Sequence, residues 1–219
     1  MKFVIVPVKD LSKAKERLSS LLPQQERTTL AYAMLEDVLT ALKESRLADR
    51  KFIVTLDAKA IEIAEGLGIE VILETEQNGE SASVDYASQI CKDMGAASVL
   101  VVPGDAPLIT SDDIDFILER EKGTPSIIFV PARDELGTNA ILRKPPDAIP
   151  SMFGHDSFNK HKSEAHKKNI PCESFENQRI GLDIDSPEDL KEFISRKSNT
   201  KAYSELMRLK IIDKIRQNG

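Results

Sequence analysis

The residues of this chain whose types and spacing could do chemistry begin with Asp105, in the turn Pro103-Gly104-Asp105-Ala106-Pro107-Leu108. The turn follows Val99-Leu100-Val101-Val102, an apolar run that reads as a buried strand. In open α/β sheets, ligands bind outside the carboxyl ends of such strands. Gly104 permits tight backbone geometry and Pro107 stiffens the exit. A carboxylate held there can share a Mg²⁺ ion with substrate phosphates, because that cation keeps part of its water shell and needs only one or two protein carboxylates. Alone, Asp105 reads more simply as a turn cap.

A distant acidic pair shifts that balance. In Ile180-Gly181-Leu182-Asp183-Ile184-Asp185, read as a strand end, Asp183 and Asp185 are two apart and so project to one face. Carboxylates so placed repel each other unless a cation neutralises them. The competing reading is a pair of solvent-facing acids before a helix N-terminus. Acids at two separate strand ends favour a shared metal.

Bases supply the complement. Lys9, Lys13, Lys15 and Arg17 follow the first apolar run, interleaved with Asp10 and Glu16. At the same edge as Asp105 they would hold a triphosphate and stabilise departing pyrophosphate, although a solvated charged turn explains them equally well. The sequence has no Gly-x-x-x-x-Gly-Lys loop and no Gly-x-Gly-x-x-Gly fingerprint, which argues against the P-loop and dinucleotide-binding classes. Thr138, Gly154, Ser157 and His161 form a further group. Small hydroxyl and glycine positions at a helix start suit a phosphate or carboxylate, because free N–H groups and the helix dipole converge there. His161, four residues after Ser157, shares its helix face and reads either as a ligand contact or as a packing histidine.

These groups need a frame. Short β-branched runs over 3–8, 51–55, 70–73, 98–102 and 126–131 alternate with helical periods over 24–44, 58–66, 83–94 and 111–121. That alternation predicts an α/β fold, a mainly parallel sheet flanked by helices. Within 24–44, Leu30, Met34, Val38 and Leu42 make a sheet-facing stripe, and Glu26, Arg27 and Lys43 are expected in water. Regularity fails after Pro131, so 132–179 is expected to be an insertion that builds a pocket. Ser186 as N-cap with Pro187 at the first helical position starts another helix. The segment 201–216 is expected to be a helix with Leu206, Leu209 and Ile212 or Asp213 near one stripe, packed on the body or on a second copy, which leaves a homodimer open.

Composition bounds the rest. A chain of 219 residues with 41% hydrophobic and 30% charged residues fits a single globular domain over 1–219. The net charge of −6 argues against a general nucleic-acid binder, so an anionic ligand must meet a local basic cluster. Cys91 and Cys172 lie far apart with no metal-spaced neighbour, which suggests neither a zinc site nor a disulfide framework and fits a reducing compartment. No apolar run approaches membrane-spanning length, so no membrane partner is expected and the cytoplasm is the expected location.

With these motifs assembled, the chain resembles the 2-phospho-L-lactate guanylyltransferase family, which serves biosynthesis of the deazaflavin coenzyme F-420. The resemblance runs in order through Val-Pro-Val-Lys with Ala14-Lys15-Glu16-Arg17-Leu18, the Asp105 turn, Gly137-Thr138-Asn139-Ala140, Phe153-Gly154 with Ser157-Phe158 and His161, and Leu182-Asp183-Ile184-Asp185-Ser186-Pro187-Glu188-Asp189-Leu190. It implies a fold like nucleotide-diphospho-sugar transferases (glycosyltransferase-A) and transfer of GMP from GTP to 2-phospho-L-lactate or phosphoenolpyruvate, with release of pyrophosphate. It further implies Asp105, Asp183 and Asp185 as ligands of Mg²⁺, with Asp105, Lys15 and Arg17 at the reacting phosphates. By the same resemblance Pro7, Val8, Lys9, Lys15, Gly79, Ser81, Pro103 and Gly104 contact the nucleotide, and Thr138, Gly154, Ser157 and His161 the phospho-acid. The chain departs from the family at Gly79-Glu80-Ser81-Ala82-Ser83, where relatives commonly carry Gly-Leu-Asn-Ala-Ala. The alternatives are a same-fold nucleotidyltransferase acting on a sugar or pterin phosphate, and a noncatalytic nucleotide-binding module that recruits a partner through its C-terminal helix.

Overall fold

The computed structural model describes residues 1–76 and 78–212. Seven strands form one sheet: β1 (Lys2–Pro7), β2 (Arg50–Thr55), β3 (Glu70–Leu73), β4 (Ser98–Val101), β5 (Ser126–Pro131), β6 (Thr138–Lys144) and β7 (Cys172–Ser174), in the order β3-β2-β1-β4-β6-β5-β7. Every pairing is parallel except the two that β6 makes, antiparallel to β4 and to β5. The chain leaves β1 toward β2 on one side and later enters β4 on the other. The carboxyl ends of β1 and β4 therefore flank a point where the strand order reverses, the place where such sheets open a crevice.

Strict alternation along the strands divides the core between the two faces. Val4 and Val6 of β1 pack with Leu35, Val38, Leu39 and Leu42 of α1 (Gln24–Glu44), with α2 (Ala58–Leu67) and with α4 (Ser111–Glu119). Phe3 and Ile5 pack on the opposite face with Val84, Ala87 and Cys91 of α3 (Glu80–Asp93) and Phe158 and Ala165 of α5 (Ser157–Lys167). A third apolar cluster includes no strand residue: in it Leu30 and Met34 of α1 meet α6 (Pro187–Ser195) and α7 (Lys201–Arg208). The apolar stripe of α7 is thus used on the body of the same chain. The helix expected over 201–216 stops at Arg208, with Leu209 as its C-cap and Lys210 in the left-handed region; residues 213–216 lie outside the described residues. Among the described residues, no helix is long and apolar enough to cross a membrane.

Two expectations about the frame fail. The stretch 132–179 does line a cavity, but it is not an insertion into the sheet's frame: it carries β6, which lies between β4 and β5 and is buried over all but its last residue. Within it Arg143, of a residue type that is mostly exposed, is only 1% exposed. Its guanidinium donates to Asp85, Ser88, Ser151 and the Ile149 carbonyl, partners that no local pattern reveals. Arg27 is likewise buried and not in water. It donates to the carbonyls of Leu22 at 2.7 Å and Ala14 at 3.4 Å, and so fastens the basic loop to α1.

Candidate functional site

The carboxyl ends of β1 and β4 deliver Pro7-Val8 and Pro103-Gly104-Asp105 to the crevice. Gly104 has no left-handed backbone, and a Cβ there would meet Leu35 and Val6 at an ordinary 3.4 Å, so the turn does not depend on glycine. Between two short 3-10 turns, Leu11–Lys13 and Glu16–Leu18, Lys15 takes a left-handed conformation with φ 58°. A lysine pays for this strained backbone only where its surroundings fix it. Its side chain is 7% exposed, and Nζ donates to Asp105 Oδ2 at 2.5 Å and to Asp185 Oδ1 at 2.6 Å. Burial acts to lower the Lys15 pKa, but the charges of Asp105 and Asp185 outweigh it and raise the pKa above the usual lysine value.

Asp183 and Asp185 do join Asp105, though not on a strand. Residues 182–185 form an irregular strap whose Ile184 N–H donates to the Asp105 carbonyl at 3.1 Å. Alternation survives without a ladder: Leu182 and Ile184 are buried in the third cluster, while Asp183 and Asp185 line the cleft. The strap is held upstream by Asp113 of α4, which accepts from Asn177 and from Arg179. Burial acts to raise the Asp113 pKa, but these bonds, with those from Thr110, bring it below the ordinary value. At Gly181 a Cβ would come within 2.9 Å of the Asn177 carbonyl, so only glycine lets the strap turn there.

The charges of this cluster are unevenly met. Asp185 is lowered from its usual pKa; burial opposes this, but the Lys15 ammonium prevails. Asp183 is pushed up to about 6 by burial and then by the neighbouring Asp105 charge, despite a 2.9 Å hydrogen bond from Asn139 Nδ2. Glu80, at the first turn of α3, is also raised, by burial and by Asp105 and Asp185 against the opposing Lys9. Lys15 is thus one buried cation among four acids. No group of three or more His, Cys, Asp or Glu side chains among the described residues is drawn together as a metal site, and Lys15 Nζ sits where Asp105 and Asp185 would converge. The donor set, hard carboxylate oxygens with an unneutralised Asp183, still fits a second cation of the Mg²⁺ type.

Two cavities adjoin at this cluster, sharing Pro7, Glu80, Pro103, Asp105 and Asp185. One, of about 370 Å³, is lined by Val8, Lys9, Lys13, Lys15 and Gly104, so most of the expected nucleotide contacts face a single space. The other, of about 430 Å³, is lined by Thr138, Gly154, Ser157 and Asp183, and by Arg17, which the structure separates from the lysines of its own loop. Arg133, unremarked in the sequence, lines it too, ion-paired at 2.9 Å to Asp189. Asp189 in turn closes the capping box of α6 with Ser186, as the Ser186-Pro187 start predicts.

Three of the expected contacts do not line these cavities. Gly79 and Ser81 line neither cavity, whereas Glu80 between them lines both. Ser81 Oγ accepts the Phe153 N–H at 2.9 Å, tying α3 to the Phe153-Gly154 loop. His161 is wholly buried and is no wall of either cavity. Nε2 lies 2.8 Å from the Met152 N–H, Nδ1 lies 3.0 Å from Thr138 Oγ1, and the ring is packed against Phe129 and Phe153. Burial, then the Arg143 charge, pushes its pKa down to about 4. Asn139, Arg27 and Arg143 are the positioning residues that sequence reasoning missed. Only Asn139 left a signal, inside Gly137-Thr138-Asn139.

Residues 1–218 match the model of the family described as guanylyl transferase CofC like. The chain is 34% identical over 206 residues to phosphoenolpyruvate guanylyltransferase of Conexibacter woesei, covering 92% of each chain. It is 31% identical to 2-phospho-L-lactate guanylyltransferase of Methanobrevibacter smithii, covering 94% of this chain and 90% of that one. It is also 31% identical to 3-phospho-D-glycerate guanylyltransferase of Colwellia psychrerythraea, covering 86% and 89%. Among solved structures, the fold is similar to that of a Desulfovibrio desulfuricans protein described as a nucleotide-diphospho-sugar transferase, with a TM-score of 0.77 and 18% identity over 97% of each chain.

Proposed function

Since the chain belongs to the CofC-like guanylyl transferase family, we propose that it transfers GMP from GTP to the phosphate of 2-phospho-L-lactate or phosphoenolpyruvate, releasing pyrophosphate, in coenzyme F-420 biosynthesis. The observation that carries this reading is the meeting of two cavities at Asp105 and Asp185, with the Lys15 ammonium buried between them. The lysine-lined cavity takes the nucleotide, and the hydroxyl-lined cavity takes the phospho-acid.

An acceptor phosphate oxygen attacks the α-phosphorus of GTP in line; the new P–O bond forms as the bond to the β-phosphate oxygen breaks. A phosphate dianion is already nucleophilic, so no general base is needed and the protein's work is positioning and charge neutralisation. Lys15 holds a proton throughout, and with Lys9 and Lys13 faces the triphosphate. Arg17 and Arg133 face the acceptor across an otherwise acidic wall. Asp105, Asp183 and Asp185 would hold Mg²⁺, which, when bound, supplies the neutralisation that four acids beside polyphosphate require. Chelation with EDTA should then stop turnover, and added Mg²⁺ should restore it.

Relatives of nearly equal identity bear three different acceptor names, so the acceptor is settled by assay. Pyrophosphate release is measured with the four nucleoside triphosphates against phosphoenolpyruvate, 2-phospho-L-lactate, 3-phospho-D-glycerate and sugar phosphates. Release with GTP and a three-carbon phospho-acid supports the reading. Tight GTP binding without release from any phospho-acid would overturn it in favour of a noncatalytic module.

A further inference from the structure

His161 lies outside the site yet touches one of its walls, Thr138, through Nδ1. Nε2 receives the Met152 main-chain N–H at 2.8 Å. An amide N–H can only donate, so Nε2 carries no proton; a neutral imidazole then bears its proton on Nδ1. Among the described residues the partner of Nδ1 is Thr138 Oγ1 at 3.0 Å, which must therefore accept. With its oxygen receiving Nδ1–H, the Thr138 hydroxyl proton points away from the ring, and Thr138 is a wall of the acceptor cavity. Ser157, also a wall of that cavity, accepts the Thr138 main-chain N–H on its Oγ at 2.8 Å, so its own proton is not used in that bond.

We propose that His161 is a positioning residue that turns the Thr138 hydroxyl proton into the acceptor cavity, where Thr138 and Ser157 together donate to an anionic oxygen of the acceptor. The assignment of the ligand as acceptor rests on the guanylyltransferase reading; the direction of the proton does not. Two hydroxyls that already accept a bond and keep their protons suit a carboxylate or phosphate oxygen better than a ligand hydroxyl proton. The imidazole is kept neutral by its surroundings: it is enclosed by Phe129 and Phe153, and Arg143 of β6 and Lys160 of α5 face it as positive charges, with Asp85 of α3 the opposing acid.

The two ring nitrogens can be tested separately. His161→Asn keeps a donor near the Nδ1 position and loses the Met152 acceptor, whereas His161→Gln keeps an acceptor near Nε2 and loses the donor to Thr138. His161→Gln should raise the acceptor KM about tenfold, the effect of misdirecting a hydrogen bond to a charged oxygen, with the GTP KM unchanged. His161→Asn should retain an acceptor KM near that of the parent protein. Thr138→Val should match His161→Gln, and the double variant should be no worse than Thr138→Val, because both act through one hydroxyl. Additive losses in the double variant, or a His161→Gln acceptor KM equal to the parent value, would overturn the proposal.

Where a His161 variant does not fold, the imidazole of the unaltered protein decides. Long-range ¹H–¹⁵N correlation should show Nδ1 protonated and Nε2 bare; the reverse tautomer overturns the positioning role. That measurement is independent of turnover. A protein inactive with every phospho-acid but bearing the Nδ1–H tautomer would refute the guanylyltransferase reading alone, and an active one with Nε2–H would refute the positioning role alone.

Discussion

On one side of Asp105 the cleft is walled by the ends of two parallel strands, β1 and β4, and by a loop carrying Lys9, Lys13 and Lys15; on the other it is walled by antiparallel β6, the 153–157 loop and the start of α5. The first wall uses charge placed by local geometry: strand, tight turn, basic loop. The second adds to Arg17, Arg133 and its acids two hydroxyls, of which Thr138 is set from beneath by His161, and a loop whose approach is held by the buried Arg143. A triphosphate needs charge and tolerates loose placement, whereas a three-carbon acid offers few atoms and has to be read by aimed hydrogen bonds.

If the shared acidic edge is what joins the walls, Asp105→Ala should cost the most: about a thousandfold or more in kcat, with the melting temperature nearly unchanged. Pyrophosphate release and a thermal melt measure both, and substantial retained activity with Mg²⁺ would end the assignment of Asp105. Lys15→Met should come next, at about a hundredfold in kcat. It leaves Asp105 and Asp185 facing each other without their cation, so Mg²⁺ should stabilise this variant against heat more than it stabilises the parent. Equal stabilisation of both would mean that the ammonium does not neutralise this pair.

The same contrast explains what the sequence discloses. The first wall is legible because each part announces itself within a few residues: a β-branched run, then Pro103-Gly104-Asp105. Even where no strand forms at 182–185, alternation of Leu182 and Ile184 with Asp183 and Asp185 puts the acids on the right side, since any extended backbone alternates. The second wall is opaque because its determinants are long-range. Arg143 looks solvated until Asp85, Ser88 and Ser151 are brought to it, and the strand containing it is lost with it. His161 looks like a ligand because it is four residues from Ser157, but α5 turns that face toward Phe129. Arg27 fails for the same reason, its carbonyl partners lying in a loop with no period of its own.

A pH series sharpens the second wall. The His161 pKa of about 4 lies below the ordinary 6.5, so between these values the unfolded chain binds the extra proton. Stability from this residue is full above pH 6.5 and is lost as pH falls toward 4, by about 3 kcal/mol. Urea unfolding from pH 7 to 4 should show a steeper loss in the parent than in His161→Gln, the difference isolating the imidazole from the carboxylates that titrate nearby. Parallel curves would mean that His161 accepts a proton in place.

The smallest effect belongs to the exposed end of the first wall, where Lys9 Nζ lies 3.5 Å from Glu80 Oε2. Lys9 is 62% exposed, so its attraction for phosphate is screened and Lys9→Ala should raise the GTP KM only about threefold. Glu80 lines both cavities and adds a fourth acid beside Asp105 and Asp185, so its charge opposes polyphosphate. Glu80→Gln should therefore lower the GTP KM by about the same factor, and both shifts should shrink as salt rises. The double variant should return near the parent value if the two charges act on the nucleotide independently. A raised GTP KM in Glu80→Gln would reverse the sign and make Glu80 a contact to the nucleotide, giving the first wall an aimed hydrogen bond of the kind otherwise confined to the second.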